Sequence, residues 1–377
     1  MVINDQDQDP EQEHLDSIEE PRKKKRKKLF SRRRVRRWIA RIVVGLLALI
    51  FILVSLFWIP ANLTYQVKET FTLSAEDSTN IQLVVMLPTS GGYQTVTDPE
   101  VEWPGTWQSE MVGRMVLVRL EGEIPAGETL TAEIAYDVEL FQGKTSWVGE
   151  PVTEYDLTTE HIGQEYYDQV MSLYVENNPL ATMRQLYDYV GSDKLIPGSG
   201  QKAGALANDS RIVEIPAREV IGWIFNDSLP LFTKQISNEP SLGLKYWDEI
   251  FIQDAWEIVD PSMWGGFLKP RSLGWTDGRH LVLDDLSDLQ AVAQSLEDEA
   301  GRGSWGYSEL SSLAYSVWSL DGEDSFEITS VMTAQKTWDG RWAMAIAVVV
   351  MLVVLERMME NDHLTKKSKR KPVGYEI

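Results

Sequence analysis

The chain has 377 residues, room for roughly two domains of ~150 residues and accessory segments. A hydrophobic content of 43% and 14 Trp exclude a disordered chain. The absence of cysteine excludes disulfides, thiolate metal ligands and a thiol nucleophile. The four histidines, His14, His161, His280 and His363, stand far apart without metal-ligand spacing, so neither a metal nor another cofactor is expected.

Net charge is −21, but it is sorted along the chain. Residues 1–20 hold eight acids and no Lys or Arg, whereas residues 21–41 hold thirteen Lys or Arg and no acid. Residues 42–355 hold 17 basic and 45 acidic side chains, a net of −28, and residues 356–377 hold six and four.

Residues 42–59 contain no charge and are mostly Leu, Ile, Val and Phe. At ~1.5 Å per residue such a helix approaches the ~30 Å hydrocarbon core. Trp38 and Trp58 bracket it, and Pro60 ends it. The basic block before it predicts a cytoplasmic N-terminus. A core helix would not follow thirteen basic charges, and no small-residue cleavage site marks a signal peptide. The basic run suits anionic lipid headgroups better than nucleic acid. The expectation is a basic cytoplasmic tail over 1–37 and a signal anchor over 38–60.

Residues 61–145 read as a small β-sandwich. Leu130, Ala132, Ile134, Tyr136, Val138 and Leu140 alternate as in a half-buried strand, and 81–87 and 115–120 are further strand candidates. Helices follow, one beginning at Pro179 with Met183, Leu186, Tyr187 and Val190 on one face, the next opening at Pro197-Gly198-Ser199-Gly200. Strands are predicted at 219–225, 246–252 and 256–259. Helices followed by strands make an α+β domain over 146–280. The acid-rich stretch from 281 reads as a solvated helix, within a juxtamembrane connector over 281–338. Residues 342–355 are again uncharged and precede a second basic cluster, Lys366 to Lys371. They predict a second transmembrane helix over 339–359, with Arg341 snorkelling at its outer end, and a basic cytoplasmic tail over 360–377.

Three local patterns occur in order. The helix from Pro179 to Val190 comes first. Next are Arg211, Ile215-Pro216-Ala217-Arg218 and Val220-Ile221-Gly222-Trp223. Last are Tyr246-Trp247-Asp248-Glu249-Ile250 and Trp256-Glu257-Ile258-Val259-Asp260-Pro261. Their order resembles the transglutaminase-like, papain-like superfamily, in which a β-sandwich often precedes the domain. The resemblance implies a triad of Cys, His and Asp. By the family's spacing these positions fall on Gly200, Lys245 and Asp260, so only the acid is kept. The chain then resembles the inactive, membrane-associated transglutaminase-like proteins of bacteria, although one apolar segment follows the domain here rather than several.

Asp260 has an ordinary reading too, as a turn residue paired with Arg218 or Lys245. Arg218 itself reads first as an ion-pair or hydrogen-bond anchor. Three functions follow. One is a membrane-anchored pseudoenzyme whose cleft, lined by Ser199, Gln201, Lys245, Trp247 and Asp260, pairs with a peptide along a strand edge outside the cytoplasm. Another is a Ser199–Lys245 acyl-transfer or peptidase dyad, Ser199 as nucleophile and Lys245 as base. The third is a structural module of a membrane complex. Expected partners are membrane lipids at the basic tails and a peptide or membrane protein at the domain. The acidic middle excludes nucleic acid.

Overall fold

The computed structural model describes residues 32–58, 60–149, 163–196, 198–225, 244–263, 272–300, 315–321 and 326–368. The chain divides into two compact units, residues 1–49 and 50–377. In the first, the described residues belong to helix α1 (Arg32–Trp58), which runs on into the second.

The second unit begins with strand β1 (Ala61–Ala75), which pairs antiparallel with β7 (Thr129–Lys144) on one side and β14 (Phe326–Asp339) on the other. With β11 (Trp275–Asp277), β3 (Gln94–Val96) and β4 (Glu100–Glu102) these form a six-stranded sheet. A second sheet runs in the order β13-β2-β6-β5, with β2 at Thr79–Pro88, β5 at Thr106–Val112, β6 at Met115–Ile124 and β13 at Tyr315–Ser319. The alternation along β1 and β7 turns Leu63, Val67, Phe71, Ala132, Ile134 and Val138 inward, where they share one core with Leu83, Val85 and Leu120 of the second sheet.

A third sheet, β10-β9-β8-β12, carries β8 (Ala217–Ile224), β9 (Lys245–Ile252), β10 (Ala255–Val259) and β12 (His280–Asp285). Helices α3 (Pro179–Ser192) and α4 (Ser199–Ile212) cover one face, and the short α2 (Gln164–Met171) packs beside α4. The start of α3 follows from local chemistry. Pro179 occupies the first turn, where its missing N–H costs nothing, and Asn178 Oδ1 accepts from Ala181 N at 3.0 Å.

The expected boundary at 145/146 and the connector over 281–338 both differ from the structure. Ile221, Trp223, Phe225, Leu281 and Leu283 of the third sheet lie in the same core as the sandwich. Residues 281–338 contain β12, helix α5 (Leu286–Ala300), β13 and β14, so this stretch completes all three sheets. The partners are distant in sequence, Leu63 pairing with Asp339, and no local pattern announces them.

Helix α6 (Arg341–Ser368) follows β14 directly. Ile346, Val350, Met351 and Val353 are exposed on it, as are Ile42, Leu47 and Phe51 on α1. Among the described residues no helix is long and apolar enough to cross a membrane. The expected span over 42–59 lies partly outside that set, because the side chains of residues 53–57 and all of residue 59 are not described. The tails over 1–31 and 369–377 also lie outside it. Arg341 does not snorkel. It is buried, donating from Nε to Asp339 Oδ1 at 2.7 Å and from Nη1 to Gln142 Oε1 at 3.3 Å.

One carboxyl interrupts the sandwich core. Glu69 is 1% exposed, accepts from Tyr136 Oη at 2.7 Å through Oε1, and its Oε2 has no hydrogen-bond partner. Burial pushes its pKa up to about 7, against the opposing Tyr136 bond. A carboxyl raised above its unfolded value of 4.5 penalises the fold increasingly as pH climbs from there to about 7. Glu69→Gln is therefore expected to raise stability by up to about 3 kcal/mol at pH 8 and to change it little at pH 4. Urea titrations at the two pH values measure the difference; an equal gain at both would refute the charge origin.

Candidate functional site

The third sheet has two chemically distinct faces, because successive residues of a strand alternate sides. Toward α3 and α4 it presents Ala217, Ile250, Ile252 and Val259. On its other face it presents Val220, Trp247, Ile258 and Val282, which cluster with Tyr93. Each face also buries charge.

On the face of Trp247, Glu249 is fully buried between two arginines. It accepts from Arg114 at 2.8 and 3.3 Å and from Arg218 Nε at 2.7 Å. Arg218 also lies 4.3 Å from the Trp256 ring centroid, a cation–π distance. Burial opposes the charge on Arg114, but Glu249 more than compensates and raises its pKa.

Beside this cluster lies a buried imidazole. His280 opens β12, and its Nε2 is 3.1 Å from Asp260 Oδ2 while its Nδ1 is 3.1 Å from Asp277 Oδ1. Its ring meets Trp247 edge-on at 5.0 Å. A neutral ring donates from one nitrogen only, so two facing carboxylates favour the imidazolium. Burial works against that charge, but the bonds to Asp260 and Asp277 prevail and the pKa rises to about 9. Asp260 is completed by Ser262, which donates to Oδ1 from N at 2.8 Å and from Oγ at 2.6 Å.

The helix-facing side carries the opposite arrangement. Asp248 is fully buried, and neither of its carboxylate oxygens has a hydrogen-bond partner. Glu219 lies directly across the strand pair from it. Burial, then repulsion from Glu219 and Asp260, pushes Asp248 far above the usual carboxylate range despite the attraction of Arg211. Burial of this kind, under α4, favours the neutral acid.

The predicted site residues fall as follows. Gly198, at φ +86°, turns the chain into α4, a conformation glycine adopts without strain. Ser199 and Gly200 form the first turn, and Gln201 is exposed. Gly200 packs on the Tyr246 ring, where an added Cβ would lie 3.1 Å from its nearest atom. Lys245 pairs with Gly222 and shares the side of Trp247 and Glu249, opposite that of Tyr246. Among the described residues no hydrogen bond or ion pair joins Lys245 to Ser199 or to Asp260. Asp260 pairs with His280, not with Arg218 or Lys245 as its local sequence suggests, because Arg218 is committed to Glu249. Trp247 lines no cleft. It is fully buried and donates from Nε1 to Tyr93 Oη at 3.2 Å.

The strand edges of this sheet are occupied where a peptide would bind. Along β10, Trp147 and Trp256 exchange backbone bonds of 3.1 and 2.9 Å, Gly274 N donates to Ile258 O at 2.8 Å, and Asp260 N donates to Ser272 O at 3.0 Å. Along β12, the Gln94 side chain imitates a strand, donating to Val282 O at 2.8 Å and accepting from Val282 N at 2.7 Å.

Asp284, Asp285 and Asp288 lie close enough together to hold a metal ion. Their chemistry is that of a helix start. Asp285 Oδ1 accepts from Asp288 N at 2.9 Å and Ser287 Oγ at 2.7 Å, at the positive end of α5, and Asp284 accepts from the backbone of Arg114 and Asp285. A cavity of about 340 Å³ opens at the sandwich, lined by Pro88, Val96, Met111, Arg114, Val116 and Tyr136. It holds no arrangement of acid, base and nucleophile.

No family model matches the chain, and neither does any curated protein. Two solved structures show loose likeness. One is a candidate cysteine protease from Cytophaga hutchinsonii, 12% identical, with a TM-score of 0.39 over 74% of this chain and 91% of that one. The other is the periplasmic domain of TgpA from Pseudomonas aeruginosa, 14% identical, with a TM-score of 0.23 over 53% of this chain and 87% of that one. Likenesses this loose assign the chain to no family.

Proposed function

We propose that this chain is a membrane-tethered, non-catalytic α+β module, transglutaminase-like in ancestry, whose body lies outside the cytoplasm and serves by contact. The observation that carries the reading is the junction of the two apolar helices with one sheet. Leu63, five residues beyond the end of α1, pairs with Asp339, two residues before α6. Helices entering and leaving at one strand pair suit a two-pass anchor with both basic tails on the cytoplasmic side. Their exposed Leu, Ile, Val and Phe are then covered by lipid, and the tails hold anionic headgroups. The non-catalytic part rests on chemistry. No thiol exists, Lys245 lies on the opposite side of the sheet from Tyr246, which packs on Gly200, and His280 is fixed between two carboxylates. The transglutaminase-like part rests on the order of the sequence motifs. A peptide or membrane-protein partner would meet the acidic exterior, since both edges of the third sheet are engaged by the chain itself.

The cysteine-free sequence makes the test direct. Ser17→Cys, Ser109→Cys and Ser368→Cys are introduced singly into the full chain in cells. A membrane-impermeant maleimide is expected to label residue 109 on intact cells or spheroplasts, and residues 17 and 368 only after lysis. Carbonate washing should leave the chain in the membrane. Labelling of residue 17 or 368 from outside, or release by carbonate, would discard the reading. In the same membranes, any peptidase or acyl-transfer activity abolished by Ser199→Ala would reinstate an enzyme.

A further inference from the structure

We propose that the end of the six-stranded sheet where α1 and α6 join is itself a membrane-docking face, seated in the headgroup layer of the bilayer. The inference rests on the anchoring proposed above and adds the orientation of the domain.

The first argument is rigidity. Gly340 N donates to Asn62 O at 3.0 Å, and a Cβ on Gly340 would come within 2.9 Å of that oxygen. Asp339 accepts from Arg341 N at 3.1 Å and from Lys336 Nζ at 3.2 Å, besides the Arg341 guanidinium, which reaches Gln142 of β7. The α6 junction is therefore clamped to the sheet through buried, charge-assisted bonds, and the Gly340 backbone bond ties it to β1. Only Gly340 separates β14 from α6.

The second argument is the side chains at that end. Trp338 is 57% exposed and Trp58 48%, and Trp58 lies 6.0 Å from Trp275, centroid to centroid. Trp275 pairs with Lys144, at the same end of β7 that meets Ala61 through Gln142. Single exposed tryptophans are ordinary, but several around two helix junctions match the belt in which indoles sit between water and hydrocarbon.

The third argument is charge. The middle of the chain carries a net −28, which anionic headgroups would repel. At this end two of the acids are neutralised, Asp339 by Arg341 and Lys336, and Asp277 by Arg279 and His280. Lys144 adds an exposed cation. Exposed Glu139, bonded to Asn62, remains at this end, so the acidic exterior is reduced rather than removed where the membrane would be.

Strand β14 supplies the ruler. Trp338 and Glu327 lie near its two ends, about 35 Å apart at ~3.3 Å per residue. Trp338→Cys and Glu327→Cys, each carrying a fluorophore, are placed in the full chain in vesicles of phosphatidylcholine and phosphatidylglycerol. Thr337→Cys repeats the near position with Trp338 intact. Headgroup-nitroxide lipid is expected to quench labels at 338 and 337 at least about threefold more than at 327, and aqueous iodide to do the reverse. If the chain floats with the vesicles but all three labels respond alike, the docking face is wrong and the anchor survives. If it does not float, both fall.

Discussion

Replacing Glu249 by Gln is expected to cost the fold roughly 3–5 kcal/mol, the usual penalty for removing one partner of a buried ion pair. Glu249 is fully buried and shared by Arg114 of the sandwich and Arg218 of the third sheet. Glutamine keeps one acceptor oxygen but no charge, so two guanidiniums are left facing each other beside an apolar cluster. Arg114 and Arg218 retain 28% and 17% side-chain exposure, and water there screens part of the repulsion. The loss should therefore fall toward the lower bound. Arg114→Met is expected to cost less, because Glu249 keeps Arg218. Urea unfolding of the full chain in micelles, followed by tryptophan fluorescence, reads both variants. A Glu249→Gln loss below about 1 kcal/mol would show that the cluster does not join the sheets.

That cluster shows what the sequence reveals and what it conceals. Arg218 reads as an anchor from its Ile-Pro-Ala-Arg context, and the anchor is indeed an ion pair with Glu249. Arg114 comes from a turn of the sandwich 135 residues away from Glu249, and nothing local marks it. The same contrast runs through the fold. The alternation in β7 and the 3–4 residue spacing in α3 are local signals, and both elements form where the pattern puts them. β14 is rich in Thr and Ser, and it is held by pairing with β1 across more than 250 residues. Propensity without a local partner is a weak signal, which is why 281–338 reads as connector. His280 is concealed for another reason. It has no metal-ligand spacing, and its carboxylates, Asp260 and Asp277, meet it only after the chain folds back. A lone histidine at the head of His-Leu-Val-Leu becomes legible once that run is recognised as a buried strand, since a polar ring there requires partners.

The second large effect follows from those partners. The His280 ring has a pKa of about 9 in the fold against 6.5 unfolded, so it contributes stability of about 3 kcal/mol. Because the folded value is the higher one, that contribution is whole below pH 6.5 and drains away as pH rises through about 9. The bond with Asp277 is the same interaction seen from the acid, which it holds well below the usual carboxylate range, and is not counted twice. His280→Gln keeps a donor for one carboxylate and removes the charge. At pH 6 it is expected to lose about 3 kcal/mol, and by pH 10 the gap to the parent should shrink to about 1 kcal/mol. Urea midpoints across this range test it, and the Glu69 transition does not interfere, since it is complete near pH 7 where the histidine slope is still developing. A deficit that stayed constant from pH 6 to pH 10 would mean that the ring is neutral. A neutral ring donates to one carboxylate only, so either Asp260 or Asp277 would then lack its hydrogen bond from His280.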